Sequence, residues 1–344
     1  MDVFLGSKEY IEMGGLVSPV FLFRAKRAGG NSIEELFSTI VGGLNTPAKM
    51  VNIPCVGASF KSLFKNIVFG KRLKGQVFHI TGDVQYMALG TGQNTVLTVH
   101  DVGSALQGNV IKQFLIKFLW FWLPSLIVKK ITVISEFSKG ELLEIIPWAK
   151  HKVQVIPNPV DYERCLSYKR QESVKFTVLL VGTKSNKNLE RTIEAIKGLD
   201  VHVNIIGSLS EAQQSLLTTS HLPFDNYVNI SYDEVLGLYA RSSLLCFAST
   251  YEGFGMPIVE AQAIGIPVIT SNVASMPEVA GDSAILVDPF NGGEIREAVL
   301  SVKNNPSIVQ ELVAKGRVNI ERFKLANIVA QYEAVYEEVY NGKA

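Results

Sequence analysis

The run Leu244-Leu245-Cys246-Phe247-Ala248 carries no polar residue, and it leads straight into Ser249-Thr250-Tyr251-Glu252-Gly253-Phe254-Gly255 and then Pro257. A strand with no polar face needs cover on both sides, which is the condition of a strand inside a parallel sheet. Pro257, with its fixed φ and missing N–H, suits the first position of a helix, and Gly265 stops that helix after Glu260, Ala261 and Ala263. Strand, glycine loop and helix in this order make the repeating unit of α/β folds. The two glycines let backbone come close to a ligand, and unpaired amides at a helix start favour an anion. Glu252 lies in the loop and Glu260 within about the first turn of the helix. Both carboxylates are therefore expected to face one crevice at the carboxyl ends of the strands.

The same alternation recurs on both sides of this unit. Pro19-Val20-Phe21-Leu22-Phe23-Arg24 reads as a core strand, Ala28-Gly29-Gly30-Asn31 as its loop, and Ser32 with Glu35 as a capping box opening a helix over 33–40. Gly14-Gly15 is a rival glycine pair with no helix behind it, so Gly29 and Gly30 are preferred. Strands are expected at Val77-Phe78-His79-Ile80 and at Asn94-Thr95-Val96-Leu97-Thr98-Val99, the second ending in His100-Asp101. Ile131 to Ile134 and Val153 to Ile156 follow, and then Pro157-Asn158-Pro159, a stiff boundary into a linker at 162–173. The second half restarts with Phe176 to Val181, the loop Gly182-Thr183-Lys184-Ser185-Asn186-Lys187-Asn188 and a helix over 189–196. Two lysines ahead of a helix start are unusual, because the positive end of the dipole disfavours them unless an anion is bound there. Strands at Val201 to Gly207, Pro267 to Thr270 and Ala284 to Val287, and terminal helices over 307–323 and 327–340, complete the pattern.

At 344 residues the chain is long enough for two domains with separate cores. Its three cysteines, Cys55, Cys165 and Cys246, are scattered and show no metal-ligand spacing, as in a reducing compartment. Residues 1–15 carry Asp2, Glu9 and Glu12 and lack the apolar centre of a signal peptide. The most apolar stretch, 118–128, is short of the roughly 20 residues of a spanning helix and contains Pro124. A cytoplasmic protein, at most peripheral at the inner face of the membrane, is expected. Residues 1–170 hold 20 Lys and Arg against 12 Asp and Glu, whereas 171–344 hold 13 against 20. That asymmetry fits either a basic domain facing an anionic surface or ordinary solvated surfaces that differ by domain. Phe114, Phe118, Trp120, Phe121 and Trp122 beside Lys112, Lys117, Lys129 and Lys130 read first as a packed helix and second as an interfacial contact with membrane. Nucleic acid is not expected, since no binding motif accompanies the charge. There is no P-loop and no complete G-x-G-x-x-G.

The spacing Glu252 to Glu260 around GFGMP, followed by SNVASMPEVAGDSAILVDPFN, resembles the E-x7-E motif of family 4 retaining glycosyltransferases of the GT-B fold, the group 1 glycosyl transferases. The Gly29-Gly30 loop, T-x-H-D at His100, Ser135 to Lys139, and Pro157 to Asp161 are similar to further landmarks of that family, the last with Pro159 where Gly is usual. The resemblance runs from about Pro19 to Tyr340. It implies an α/β fold of two Rossmann-like domains facing across a cleft. Residues 1–165, with the helix at 327–344 packed back on them, would form the acceptor side, and 173–325 the nucleotide-sugar side. It implies catalytic candidates Glu252, His100 and Lys187. Donor contacts are implied for Gly29, Gly30, Lys184, Lys187, Gly253, Phe254, Gly255, Met256 and Glu260, with Lys184 standing in for an absent Arg. The base would lie near 227–240, held largely by backbone, and His79 would be structural. Glu260 would bind ribose hydroxyls and Glu252 sugar hydroxyls.

The activity so implied is retaining transfer from a nucleotide sugar, UDP- or GDP-linked, to a saccharide or lipid-linked acceptor, in polysaccharide, lipopolysaccharide or glycolipid synthesis, with no metal and no further cofactor. Three alternatives stand beside it. They are a GT-B epimerase, a phosphorylase-like enzyme, for which a pyridoxal lysine motif is missing, and a non-catalytic module that binds sugar nucleotides.

Overall fold

A computed structural model describes residues 17–25, 32–103, 109–168, 170–171 and 175–342. Gly29 and Gly30, the candidate phosphate loop of the first half, lie outside the described residues. The chain divides into two compact units. The first runs to Thr132 and adds Leu143–Gln154 and the chain from Val329 on, and the second comprises Val133–Leu142 and Val155–Ile328.

The first unit is built on β1 (Pro19–Phe23), β2 (Lys49–Asn52), β3 (Val77–Ile80), β4 (Thr95–Val99), β5 (Lys130–Val133) and β6 (Val153–Val155), in the order β2-β1-β3-β4-β5-β6. β1 runs parallel to β2 and β3, and β3 to β4. Every residue of β1, β3 and β4 is buried, as the unbroken apolar run of β1 requires, and His79, Thr95 and Thr98 are the buried polar residues of the other two. β2 is the exposed edge; its sequence KMVN carries little apolar signal, and it was not anticipated. The helix Phe60–Arg72 was also missed, and it leaves Phe60 83% and Phe64 69% exposed.

His79 sits fully buried in this core. Its Nδ1 is 2.7 Å from the Tyr336 hydroxyl, its Nε2 is 2.7 Å from Thr98 Oγ1, and Thr98 is 2.7 Å from Thr132 Oγ1. Burial, with His100 adding to it, pulls the His79 pKa down to about 3, so the ring is neutral and relays hydrogen bonds rather than charge. Tyr332 and Tyr336 come from the last helix, Leu325–Tyr340. Lys129 Nζ donates to the Val339 carbonyl at 2.8 Å, and Lys130 Nζ pairs with Glu338 at 2.8 Å. These contacts fix the part of the helix beyond Val329 in the first unit.

The aromatic stretch is one continuous helix, Val110–Ile127, and not a segment broken at Pro124. Its turn over Lys117–Trp122 is widened to π geometry. This turn precedes Pro124, whose ring would clash with the carbonyl four residues back in a regular α-helix. At 18 residues the helix is long and apolar enough to cross a membrane by length and composition, longer than the sequence suggested. Packing is the other correction. Trp120 Nε1 donates to the Asp83 carbonyl at 2.9 Å, Trp122 Nε1 to the Ile145 carbonyl at 3.0 Å, and Phe121 is buried. Val110, Ile111, Phe114, Leu115, Phe118 and Leu126 are exposed. One side is anchored and the other is bare.

The second unit holds β7 (Thr177–Val181), β8 (His202–Ile206), β9 (Phe224–Tyr227), β10 (Leu244–Phe247), β11 (Val268–Ser271) and β12 (Ile285–Val287), in the order β12-β11-β10-β7-β8-β9. Every neighbouring pair is parallel. The order reverses between β7 and β10, and α/β sheets open a ligand crevice at the carboxyl ends of such strands. The unit boundary differs from the expected linker at 162–173. Residues 162–167 are a helix of the second unit, with Cys165 buried. Val133–Leu142 also belongs there, because the Ser135 and Ser138 hydroxyls donate to the Gly253 carbonyl, at 2.7 and 3.2 Å, and Glu278 accepts from the Glu136 amide at 3.1 Å.

Candidate active site

Two loops meet at the switch point of the second sheet. The loop after β7 turns through Gly182, at φ +91°, and a short helical turn over Ser185–Lys187. The loop after β10 runs to Gly255, whose φ of +109° only glycine takes readily, and which caps the helix Met256–Ile264. Lys187 Nζ lies 2.6 Å from Glu252 Oε1, with both side chains about four-fifths buried. The same ammonium sits 4.7 Å above the Phe247 ring. Asn186 Nδ2 donates to the Tyr251 carbonyl at 2.9 Å and to Glu252 Oε1 at 3.3 Å, and the Thr250 amide donates to the Asn186 carbonyl at 2.8 Å. The structure thus joins Lys187 and Glu252, 65 residues apart, and stitches their loops through Asn186.

The Glu252-Gly253-Phe254 backbone is clamped by serines. Ser275 Oγ donates to the carbonyls of Glu252, at 2.9 Å, and Phe254, at 2.7 Å, and Ser135 and Ser138 take the Gly253 carbonyl. Neither Asn186 nor Ser275 was singled out from the sequence, because each acts across a long chain separation that no local spacing reports. The start of the helix Met256–Ile264 has no side-chain cap, so its first amides are available to an anion. Phe254 is 4% exposed and packs edge-on against Phe323, with centroids 5.5 Å apart, so its ring belongs to the core and only its backbone faces the loop. Lys184 is exposed and, among the described residues, joins no ion pair, so it is not brought together with Lys187 and Glu252.

Glu260 has a different setting from Glu252. It is 8% exposed, and its two oxygens accept from the hydroxyls of Tyr232, at 3.0 Å, and Tyr239, at 2.9 Å. Desolvation raises its pKa, and the two phenols oppose that shift. The two glutamates are held by separate partners, Glu252 by Lys187 and Asn186, Glu260 by two tyrosines.

His100 belongs to the first unit, just past β4. Its Nε2 is 2.9 Å from the Thr81 carbonyl, which can only accept, so Nε2 carries the proton and Nδ1 keeps its lone pair. Burial lowers its pKa, and the Thr81 bond partly offsets this, so the ring is neutral. At the carboxyl ends of β1 and β3 lies a cavity of about 250 Å³, bordered by Arg24, Ile53, Asp83, Val84, Tyr86 and Trp120. Among the described residues no cluster of three or more His, Cys, Asp or Glu has metal-binding geometry.

Residues 168–319 match the family model for glycosyl transferases group 1. The O-antigen chain mannosyltransferase B of Escherichia coli is 26% identical over 230 residues, covering 61% of this chain and 60% of that protein. The MMP alpha-(1->4)-mannosyltransferase of Mycolicibacterium hassiacum is 25% identical over 225 residues, covering 61% of this chain and 54% of its own length. The match therefore spans little more than half of these relatives. Among solved structures, HepE of Anabaena in complex with UDP and glucose superposes with a TM-score of 0.75 at 15% identity, over 93% of this chain and 99% of its own. Somewhat less than half of the chain, residues 168–319, thus matches the group 1 glycosyl transferases, and the fold of the chain is GT-B in type.

Proposed function

We propose that the chain is a retaining glycosyltransferase that moves a sugar from a nucleoside diphosphate to a hydroxyl of a saccharide or lipid-linked acceptor in cell-surface glycan synthesis. The observation that carries this reading is the Lys187–Glu252 pair at the switch point, beside uncapped helix amides, within the family's matched domain. Transfer demands stabilisation of a departing diphosphate and of positive charge on the sugar. Lys187 and the amides after Gly255 meet the first demand. Lys187 exchanges its bond to Glu252 for the phosphate, which frees Glu252 for sugar hydroxyls. Glu260 takes the ribose hydroxyls. The bond from the anomeric carbon to the diphosphate breaks and that to the acceptor oxygen forms on the same face. The acceptor's proton passes to the leaving phosphate oxygen, so the scheme calls for no metal.

UDP in the Anabaena structure and mannosyl transfer in the two relatives support a UDP- or GDP-sugar as donor. For the acceptor, the first-unit cavity offers what saccharides bind, an aromatic pair (Tyr86 and Trp120, 5.1 Å apart) beside the charged Arg24 and Asp83. The bare apolar face of Val110–Ile127 supports peripheral contact with a membrane carrying such an acceptor. A panel of UDP-, GDP-, ADP- and dTDP-sugars, scored by thermal shift and by release of nucleoside diphosphate, tests the reading. One nucleotide should stabilise the protein, and its sugar should be hydrolysed slowly without acceptor. Stabilisation by none of the four would overturn it.

A further inference from the structure

Glu260 is the proposed ribose ligand, yet both its oxygens already accept a phenol proton. The two tyrosines lie on one helix, Tyr232–Arg241, seven residues apart and so on the same face. Their surroundings differ. Tyr239 is fully buried in the core formed with Leu236, Leu245, Val259 and Ala263. It has no room to leave the carboxylate. Tyr232 is the first residue of the helix and only partly buried, and its ring is faced by the Arg164 guanidinium at 5.0 Å, which itself pairs with Asp233 at 2.9 Å. Its ring lies at the edge of that core rather than within it.

We infer that Tyr239 is a positioning residue that fixes the Glu260 carboxylate, and that the Tyr232 hydroxyl stands in for a ribose hydroxyl and gives way to it. This rests on the nucleotide-sugar reading above. The chemistry is an exchange of like for like. A phenol O–H and a ribose O–H are both donors to a carboxylate oxygen, and each oxygen has capacity for two such bonds. Tyr239 on Oε2 sets the plane of the carboxylate, so that a vicinal diol meets both oxygens at once. Tyr232 on Oε1 keeps a buried acceptor satisfied until ribose arrives.

The test measures Kd by calorimetry for UDP, GDP and their 2′-deoxy forms, on the wild type and on Tyr239→Phe, Tyr232→Phe and Glu260→Ala. The wild type should bind the ribonucleotide about tenfold better than its deoxy form, the worth of one charge-assisted hydrogen bond. Glu260→Ala should erase that preference. Tyr239→Phe should lower ribonucleotide affinity and shrink the preference several-fold, whereas loss of packing alone would weaken both forms equally. Tyr232→Phe should bind the ribonucleotide as tightly as the wild type or tighter, with the preference intact. An undiminished preference in Tyr239→Phe, or equal losses in both tyrosine variants, overturns the inference. If Tyr239→Phe does not fold, the Tyr232→Phe arm decides alone, and weaker binding there overturns it. A wild type that binds neither nucleotide overturns the nucleotide reading itself, and the inference with it. Binding that is indifferent to Glu260→Ala overturns the inference and leaves the nucleotide reading standing.

Discussion

Lys187 is held by three neighbours of different kinds, the Glu252 carboxylate, the Phe247 ring and the backbone of Gly182. A Cβ at Gly182 would lie 2.9 Å from Lys187 Cε and Cγ, closer than side-chain carbons approach. Gly182→Ala therefore displaces the ammonium and also strains a backbone at φ +91°, at a cost of about 1 kcal/mol. We expect donor turnover to fall at least tenfold in Gly182→Ala and further in Lys187→Ala. Exposed Lys184→Ala should change it by no more than a few fold. Steady-state rates of the three variants with one donor check this, and equal losses in the two lysine variants would show that the loop after β7 is read in the wrong register. The position of Lys187 was legible from the lysines ahead of a helix. The choice of Lys187 over Lys184 as partner of Glu252 needed the contact itself.

The element with the most unexplained surface is the helix Val110–Ile127. A helix held along one side by Trp120, Phe121 and Trp122 cannot be surrounded by lipid, so its apolar face suits the plane of a membrane surface rather than its interior. Phe114 and Phe118 stack on that side with centroids 6.1 Å apart, and Lys112 and Lys117 flank them. Each lysine near an anionic bilayer contributes about 1 kcal/mol, and this attraction is screened by salt. The protein should co-sediment with anionic vesicles and release as salt rises, and Phe114→Asp with Phe118→Asp should remove it from the pellet without lowering Tm. Retention in the supernatant with anionic and neutral vesicles alike would sink the membrane contact. Sequence composition raised this contact only as a second reading after packed core. Periodicity cannot separate an apolar face that is covered from one that is not.

For the whole molecule, pH acts through the buried histidine of the first unit. In the unfolded chain His79 titrates near 6.5, whereas in the fold its pKa is about 3. Between these values the unfolded state binds more protons, so stability rises with pH and is lost on acidification through that window. From pH 7.5 to pH 5 the loss from this ring alone is about 2 kcal/mol, and His100, also shifted down, adds in the same direction. Thermal unfolding followed across pH should show this fall. His79→Gln should be less stable at pH 7.5, because Tyr336 and Thr98 lose their partner, yet should have a flatter pH profile. A slope as steep as the wild type would place the pH sensitivity elsewhere.

By itself the sequence determined the alternation of strand, glycine loop and helix, and with it the α/β class, the loop around Glu252 and the place of Pro257. These are local matters, since apolar runs, φ > 0 at Gly255 and a missing N–H act within a few residues of where they are written. It could not determine that β2, four residues with one exposed face after another, would join the sheet at all, since an edge strand borrows its stability from β1. Nor could it report that Val133–Leu142 serves the second unit, or that Glu260 lies behind two phenols while Glu252 pairs with Lys187. Those outcomes belong to the tertiary structure alone, because burial and pairing join residues that the chain separates by tens of positions, and no local spacing carries that information.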